Sequence, residues 1–394
     1  MPADLMARLA PALEVVRANA VEADRSGVFP PENMDALRAA GAFAWSRAKK
    51  LDGDELSAVG KLAAFEATAA ADLTTAWIFA NYDSHVWELS ARLLVDGFPE
   101  TESVLRGEEA CCGTAAPLTG SVLEGDDIIV NGRFNFTTGW RQARWLRGMV
   151  AVPGPAPELP PPPEPPRFHL RVVMVPLDRP EVRPEETWDS VGLRATQTDT
   201  IVVEGLRLPR SYSAPFISDA DRRSVEYPVP SHYYREPGWT WANARGGAEL
   251  LACAREAFRL AQEHSSGSKT LFTGQPAARF PAVRYALADA YIGIATGLAA
   301  FEGLAAASDG RVAAGTRWEM DDEMAVWGCG MMGGQAALRA VDQMMLALGG
   351  TGTQKALPFE RYFRDIRTGA LHLGIHPSLV KDRVVGHLFP GFVR

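Results

Sequence analysis

Two kinds of apolar spacing follow each other along this chain in a fixed order, and that order limits the folds open to it. Residues 1 to about 109 repeat apolar side chains at helical intervals, as in Leu5, Leu9, Leu13 and Val16. In FPPENMDALRAAG, Pro31 suits a first helical turn and Gly41 suits a helix stop. Lys61 to Leu94 is alanine-rich, carries Phe65, Leu73, Trp77, Ile78 and Val86, and has no internal proline or glycine, so it reads as one or two buried helices. From Cys111 to Pro209 the spacing changes to short β-branched runs: SVLEGDDIIVNGRFNF, WLRGMVAV, FHLRVVMVPL and DTIVVEGLRLP. Turn residues bound each run, which predicts an antiparallel sheet or small barrel. From about Trp239 helices return, through ARGGAELLACAREAFRLAQEH, FPAVRYALADAYIGIATGLAAFEGLAAA and MDDEMAVWGCGMMGGQAALRAVDQMMLALGG to a short last helix. Strand–helix alternation is missing, which argues against a Rossmann or P-loop fold. GxGxxG, Walker and GxSxG patterns are missing too.

Two segments depart from this plan. PGPAPELPPPPEPP, Pro153 to Pro166, cannot donate to a ladder and reads as an exposed spacer loop between two strands, in preference to a docking motif. Gly328, Gly330, Gly333 and Gly334 lie inside a helical pattern, each at a cost of up to ~1 kcal/mol against alanine. Close approach of another helix is the reading for them.

Composition narrows the function. Lys+Arg is 40 against Asp+Glu 48, a net charge of −8 with no basic stripe, which disfavours a nucleic-acid partner. No apolar run approaches the ~20 residues of a bilayer span, and MPADLMARLAPALEVV lacks the basic start and apolar block of a signal peptide. Cys111, Cys112, Cys253 and Cys329 form no disulfide framework and no zinc motif, so they read as idle thiols in a reducing cytoplasm; no metal is expected.

Four segments, in order, resemble the acyl-CoA dehydrogenase fold superfamily along essentially the whole chain. They are FPPENMDALRAAGAF, FNFTTGW (Phe134 to Trp140), TWDSVGLRATQTDTIVVEGLRLP (Thr187 to Pro209) and LALGGTGTQKALPFERYFRD (Leu346 to Asp365). The resemblance implies an α+β chain of three domains: N-terminal helices over 1–109, a central antiparallel β domain over 110–225 with the proline-rich loop at 153–166, and a C-terminal four-helix bundle over 226–394. It implies a flavin, FAD or FMN, held by Thr114, Phe136, Thr137, Thr138, Gly139, Lys269, Phe272 and the loop Leu348, Gly349, Gly350, Thr351 and Gly352. Thr137 and Thr138 can present donors to the ring's polar edge. The glycine-rich loop lets backbone N–H groups approach a phosphate. Lys269 and Phe272, in SKTLFTGQP, stand as a degenerate version of the family's arginine-containing stretch.

Fold does not fix the reaction. The dehydrogenases use a glutamate base shortly after the "RD" segment, or near the start of the helix that opens the C-terminal domain. Neither RDIRTGALHLGIHPSLVKDRVVGHLFPGFVR nor WTWANAR contains a glutamate; Glu236 lies just before the latter. His372, seven positions after Asp365, and His85 in ANYDSHVWEL resemble histidines of the two-component flavin monooxygenases built on this fold. That branch takes reduced flavin from a separate reductase and hydroxylates an aromatic or other electron-rich small molecule through a C4a-hydroperoxide. His372, His85, Thr138 and His376 are the catalytic candidates. His372 is read as able to accept a substrate proton or to hydrogen-bond the peroxide, and Thr138 as a donor near N5. Trp77, Tyr82, Trp140, Trp239 and Trp241 are candidates for the substrate pocket. The resemblance also implies a homotetramer in the cytoplasm, with oxygen, a small substrate and the reductase as partners and no membrane. Two alternatives stay open: a dehydrogenase or desaturase of an acyl thioester with bound FAD, and a non-catalytic flavoprotein relative.

Overall fold

A computed structural model describes residues 3–96, 101–118, 120–157, 167–224, 228–270 and 273–391. Five helices come first: α1 (Ala3–Ser26), α2 (Pro31–Ala39), α3 (Ala58–Ala71), α4 (Leu73–Asp96) and α5 (Glu102–Leu105). The alanine-rich stretch is two helices, because the Asp72 carboxylate caps the second by accepting from the Thr75 N–H at 2.8 Å and hydroxyl at 2.7 Å.

Eight strands follow: β1 (Cys111–Leu118), β2 (Val122–Glu124), β3 (Asp127–Thr137), β4 (Trp145–Pro153), β5 (Phe168–Pro176), β6 (Val182–Glu185), β7 (Asp199–Pro209) and β8 (Ser213–Pro215). They form two four-stranded sheets, ordered β1-β4-β5-β8 and β2-β3-β7-β6. This corrects the barrel alternative. It also adds one parallel pair, β1 with β4, to a region that is otherwise antiparallel. The cause is connectivity: β2 and β3 lie in the other sheet, so the chain re-enters the first sheet by a crossover. Ile128, Val130 and Phe134 of β3, Val150 of β4 and Val173 of β5 form one core with Phe43 and Phe79 of the N-terminal region. Residues 158–166 of the proline-rich stretch lie outside the described residues.

The chain then returns to helices: α6 (Asp219–Arg223), α7 (Gly238–Ala244), α8 (Gly246–Gly267), α9 (Pro281–Ala314), α10 (Met320–Leu348), α11 (Phe359–Gly369) and α12 (Pro377–Leu388). Leu62 and Ala69 of α3 are buried in one cluster with Leu251, Ala254 and Ala257 of α8 and Phe301 of α9, so N- and C-terminal helices share a core. By length and composition α9 is apolar enough to cross a membrane, contrary to expectation. Its Leu287, Ala290, Ile294, Leu298 and Phe301 face that core, while Tyr285, Tyr291 and Ile292 are exposed.

Helix α11 ties the regions together. The Asp365 carboxylate accepts from the Leu193 N–H at 2.6 Å. Arg364 donates to both oxygens of Asp24 in α1, at 3.0 and 2.7 Å, and to the Val191 carbonyl at 2.8 Å. Arg361 lies 3.4 Å from Asp72. Burial pushes the Asp365 carboxyl up to about 7.

The glycines of α10 divide by packing. A side chain at Gly330 would strike Ala244 at 2.8 Å, and one at Gly333 would strike Phe301 at 2.8 Å. Gly328 faces open space. Gly330→Ala should therefore destabilise the chain by about 1–3 kcal/mol through overpacking. Gly328→Ala should be neutral or stabilising by up to ~1 kcal/mol through helix propensity. Denaturant midpoints check the pair, and equal destabilisation by both contradicts the packing account.

Candidate functional site

The segment FNFTTGW turns out of β3 under backbone constraint. Phe136 has φ +56° and Gly139 φ +72°. The Tyr82 hydroxyl of α4 donates to the Gly139 carbonyl, and a side chain at Gly139 would strike Ile78 at 2.7 Å. Opposite lies the loop Leu193–Thr198, where Leu193 (φ +50°) and Gln197 (φ +46°) are also left-handed. Three of the five non-glycine residues with positive φ among the described residues thus flank this one place. Such conformations cost of order 1–3 kcal/mol each and concentrate at functional sites.

The two segments are joined by a directed chain of hydroxyls. Thr196 Oγ1 donates to the Leu193 carbonyl at 2.8 Å, because a carbonyl can only accept. Its one hydrogen is thereby used, so Thr198 Oγ1 donates to Thr196 Oγ1 at 2.8 Å. Thr138 Oγ1, 3.1 Å from Thr198 Oγ1, must then be the donor of that pair. Its lone pairs are what it presents to a further partner. This corrects the reading of Thr138 as a donor. Thr137 is corrected likewise: its side chain is fully buried and its hydroxyl donates to the Phe134 carbonyl at 2.8 Å.

His372 lies in the turn between α11 and α12 and not on a helix, because α11 ends at Gly369. Its Nδ1 accepts from the Gly374 N–H at 3.2 Å, so the neutral ring carries its proton on Nε2. The ring meets Trp77 edge-on, centroids 5.4 Å apart. Burial, with Arg245 adding to it, holds the imidazole down at about 4. At pH 7 His372 is therefore neutral, with its Nδ1 lone pair taken by the Gly374 N–H and its Nε2–H left as the group it can offer a partner. His376 begins α12 as its N-cap, so the two histidines share no helix face; its Nδ1 is buried without a partner among the described residues. His85 is buried in α4, and desolvation, then the Arg147 charge, hold it down at about 3.

Between α3, α4, α7 and α8 lies a cavity of about 570 Å³ of empty space, part of it open to solvent. Leu62, Phe65, Trp87 and Trp241 supply its apolar wall; Lys61, Asp83, Glu236, Arg245 and Glu249 supply its polar groups. Lys61 stands 3.8 Å from Glu236. Burial lowers the Lys61 ammonium's pKa, but Tyr233, Glu236 and Asp83 more than offset that, so it stays charged. Glu249 is 2 % exposed, and burial outweighs the guanidinium of Arg245, 3.2 Å away, to push its carboxyl up to about 7. A carboxyl that titrates near neutrality beside a cavity can exchange a proton with a bound molecule. Sequence reading missed Glu249, Asp83 and Lys61. The available signal was one carboxylate in the apolar run GGAELLACA, four residues after Arg245.

The remaining candidates are dispersed. Trp241 lines this cavity and Trp239 a smaller neighbour. Tyr82, Trp140 and Trp77 line neither, because each is held elsewhere. Tyr82 is committed to Gly139, the Trp140 indole donates to Asp199 at 2.9 Å, and Trp77 packs on His372. Thr114 is buried in β1. Lys269 is exposed on a loop bridged to Pro276, and Phe272 lies outside the described residues. Leu348 closes α10, and Gly349 to Thr353 form a single 3-10 turn. Positions Gly349 and Gly350 face open space.

These features fit a flavin. Phe136, 70 % exposed, lies edge-on to Trp188, making an apolar ledge beside the hydroxyl turn. The 349–350 backbone is uncovered at the end of a long helix.

Residues 246–377 match the family "Acyl-CoA dehydrogenase, C-terminal domain". The chain is 24 % identical over 379 residues to the flavin-dependent monooxygenase oxygenase subunit HsaA of Rhodococcus jostii, covering 95 % of each. It is 22 % identical to the oxygenase component of the FADH(2)-dependent resorcinol hydroxylase of a Rhizobium species, covering 94 % of this chain and 90 % of that one. XiaF from Streptomyces, solved with FADH2 and glycerol, superposes with a TM-score of 0.84 at 18 % identity, covering 99 % of this chain and 96 % of that one. The chain has the acyl-CoA dehydrogenase fold. The two relatives just described, matched along nearly the whole length, are oxygenase subunits of flavin-dependent enzymes.

Proposed function

We propose that this protein is the oxygenase component of a two-component, reduced-flavin-dependent monooxygenase acting on an aromatic small molecule, with a separate reductase supplying the flavin. The observation that carries this reading is the direction of the Thr138–Thr198–Thr196 chain. A reduced flavin has an N5–H to donate, and an oxidised one does not. An acceptor at Thr138 therefore favours the reduced ring. The likeness to oxygenase subunits over nearly the whole chain supports it.

The residues that would hold the flavin are the Thr137–Gly139 turn, with Phe136 and Trp188 beside it, and the Leu348–Gly352 loop toward the phosphates. Bound reduced flavin supplies the activation of oxygen for transfer to the ring. His372 offers a fixed hydrogen-bond donor, Nε2–H, that stays uncharged down to about pH 4. The apolar walls of the larger cavity exclude water from a flat substrate.

A second reading is favoured by Glu249. A carboxyl near pH 7 in the first turn of α8 lies close to where acyl-thioester dehydrogenases place a base, though outside the segment WTWANAR.

The finer statements on assembly and location belong to this proposal. The exposed Tyr285, Tyr291 and Ile292 of α9 suit burial against other copies in a tetramer. Four free thiols, three of them buried, suit a reducing cytoplasm. Light scattering at micromolar concentration should report four chains; a single chain contradicts the assembly.

Two variants test the chemistry. His372→Ala should lower coupled hydroxylation by about 10²-fold or more while peroxide release rises. His372→Gln, which restores a donor, should recover part of the coupling, and a general-base role would forbid that recovery. Thr198→Val removes the acceptor that orients Thr138. It should narrow the preference for reduced over oxidised flavin by about tenfold in a direct titration. An unchanged ratio removes the observation on which the reading stands.

A further inference from the structure

The smaller cavity is lined by buried donors that have no acceptor among the described residues. Its walls include His85, Trp87 and Glu88 of α4, Phe216, Arg222 of α6 and Trp239 of α7. Arg222 is 2 % exposed, and its Nη1 has no acceptor among the described residues. The indole N–H of Trp87, 5 % exposed, has none either. Behind the aromatic wall stands Arg147, fully buried, its guanidinium 5.5 Å from the Trp239 ring and 5.9 Å from that of Phe216. One of its nitrogens, Nη1, is also unpaired among the described residues.

The nearby carboxylates are already committed. Glu88 accepts from Arg147 through both oxygens, at 2.8 and 2.9 Å, and has Arg92 at 3.7 Å. Asp219 accepts from the Trp239 and Thr240 N–H groups and the Thr240 hydroxyl. The donors left over at this cavity are therefore Arg222 Nη1 and the Trp87 indole N–H, both buried and without an acceptor among the described residues. A buried donor without an acceptor costs the full desolvation of that group, and more when it is charged. An anionic oxygen removes that cost. The cavity shares Ser84, Trp87, Gly238 and Ala242 with the larger one, whose Leu62, Phe65 and Trp241 offer an apolar seat for a ring.

We propose that this smaller cavity is a subsite for an anionic oxygen group of the substrate, a carboxylate foremost, donated to by Arg222 and Trp87, so that the molecule taken is an aromatic acid. The word substrate rests on the oxygenase reading; the binding of the acid does not. The other source of such oxygens is the cofactor's phosphate, and the test separates the two.

The purified full-length chain, free of flavin, is titrated calorimetrically with benzoate, benzamide, FMN and riboflavin. Wild type should bind benzoate about tenfold or more tighter than benzamide. Arg222→Gln should weaken benzoate by about tenfold or more and leave benzamide unchanged. Trp87→Phe, which keeps the ring and loses the donor, should weaken benzoate about threefold; it decides the matter if the arginine variant does not fold. Equal binding of benzoate and benzamide by wild type overturns the proposal. So does a folded pair of variants that both bind benzoate as wild type does. Loss of FMN binding relative to riboflavin in Arg222→Gln, with benzoate unaffected, assigns the cavity to the cofactor and overturns it as well. Should no arene be oxygenated by the loaded enzyme while the benzoate results hold, the oxygenase reading fails and the anion subsite stands.

Discussion

One buried carboxylate holds the site in register. Asp365 takes the Leu193 N–H at 2.6 Å and so fixes α11 against the loop that carries Thr196 and Thr198. Leu193 is left-handed, and its carbonyl terminates the hydroxyl chain. On the same helix Arg364 clamps Asp24 of α1, and Arg361 faces Asp72 between α3 and α4. Three distant regions of the sequence therefore meet on one stretch of α11. The same helix delivers His372 three residues past its end, beside Trp77 of α4. Loss of the Asp365 contact leaves a buried N–H and a buried carboxyl unmatched, a cost of several kcal/mol that falls on the site first.

That frame gives two groups a direction that their chemistry alone leaves open. A threonine hydroxyl both donates and accepts, and a histidine has two tautomers. Here Thr138 is turned into an acceptor by two threonines and a carbonyl, and His372 into a donor by the Gly374 N–H. Each suits reduced flavin and its oxygen chemistry better than hydride acceptance by oxidised flavin. The buried Glu249 pulls the other way, and its position in the larger cavity keeps the dehydrogenase reading meaningful.

Much of this was legible in the residues. Helices, strands and helices again follow from spacing, and the close helix crossing follows from Gly330 and Gly333 inside an apolar run. FNFTTGW, the glycine-rich loop and the ER…RD segment are local, so they survive as strings. Their work is not local. Asp365 and Leu193 are 172 residues apart, and Arg361 and Asp72 are 289 apart. No spacing rule brings such groups together. The parallel β1–β4 pair escaped for the same reason, since pairing across an intervening hairpin leaves no periodic trace. Glu249 escaped because a buried carboxylate on an apolar helix face looks like a solvated one until the facing helix is placed. The tautomer of His372 depends on a single 3.2 Å contact that forms only once α11 ends in its turn.

The claim that this fold serves oxygen transfer here, and not dehydrogenation, is tested most directly by the origin of the product's oxygen. The protein is loaded anaerobically with chemically reduced flavin and an aromatic acid or phenol, then mixed with ¹⁸O₂-saturated buffer. The account predicts a hydroxylated product carrying one ¹⁸O atom, and no bleaching when oxidised flavin is bound and an acyl thioester is added. Unlabelled or absent product, together with thioester-driven bleaching of bound FAD, contradicts it.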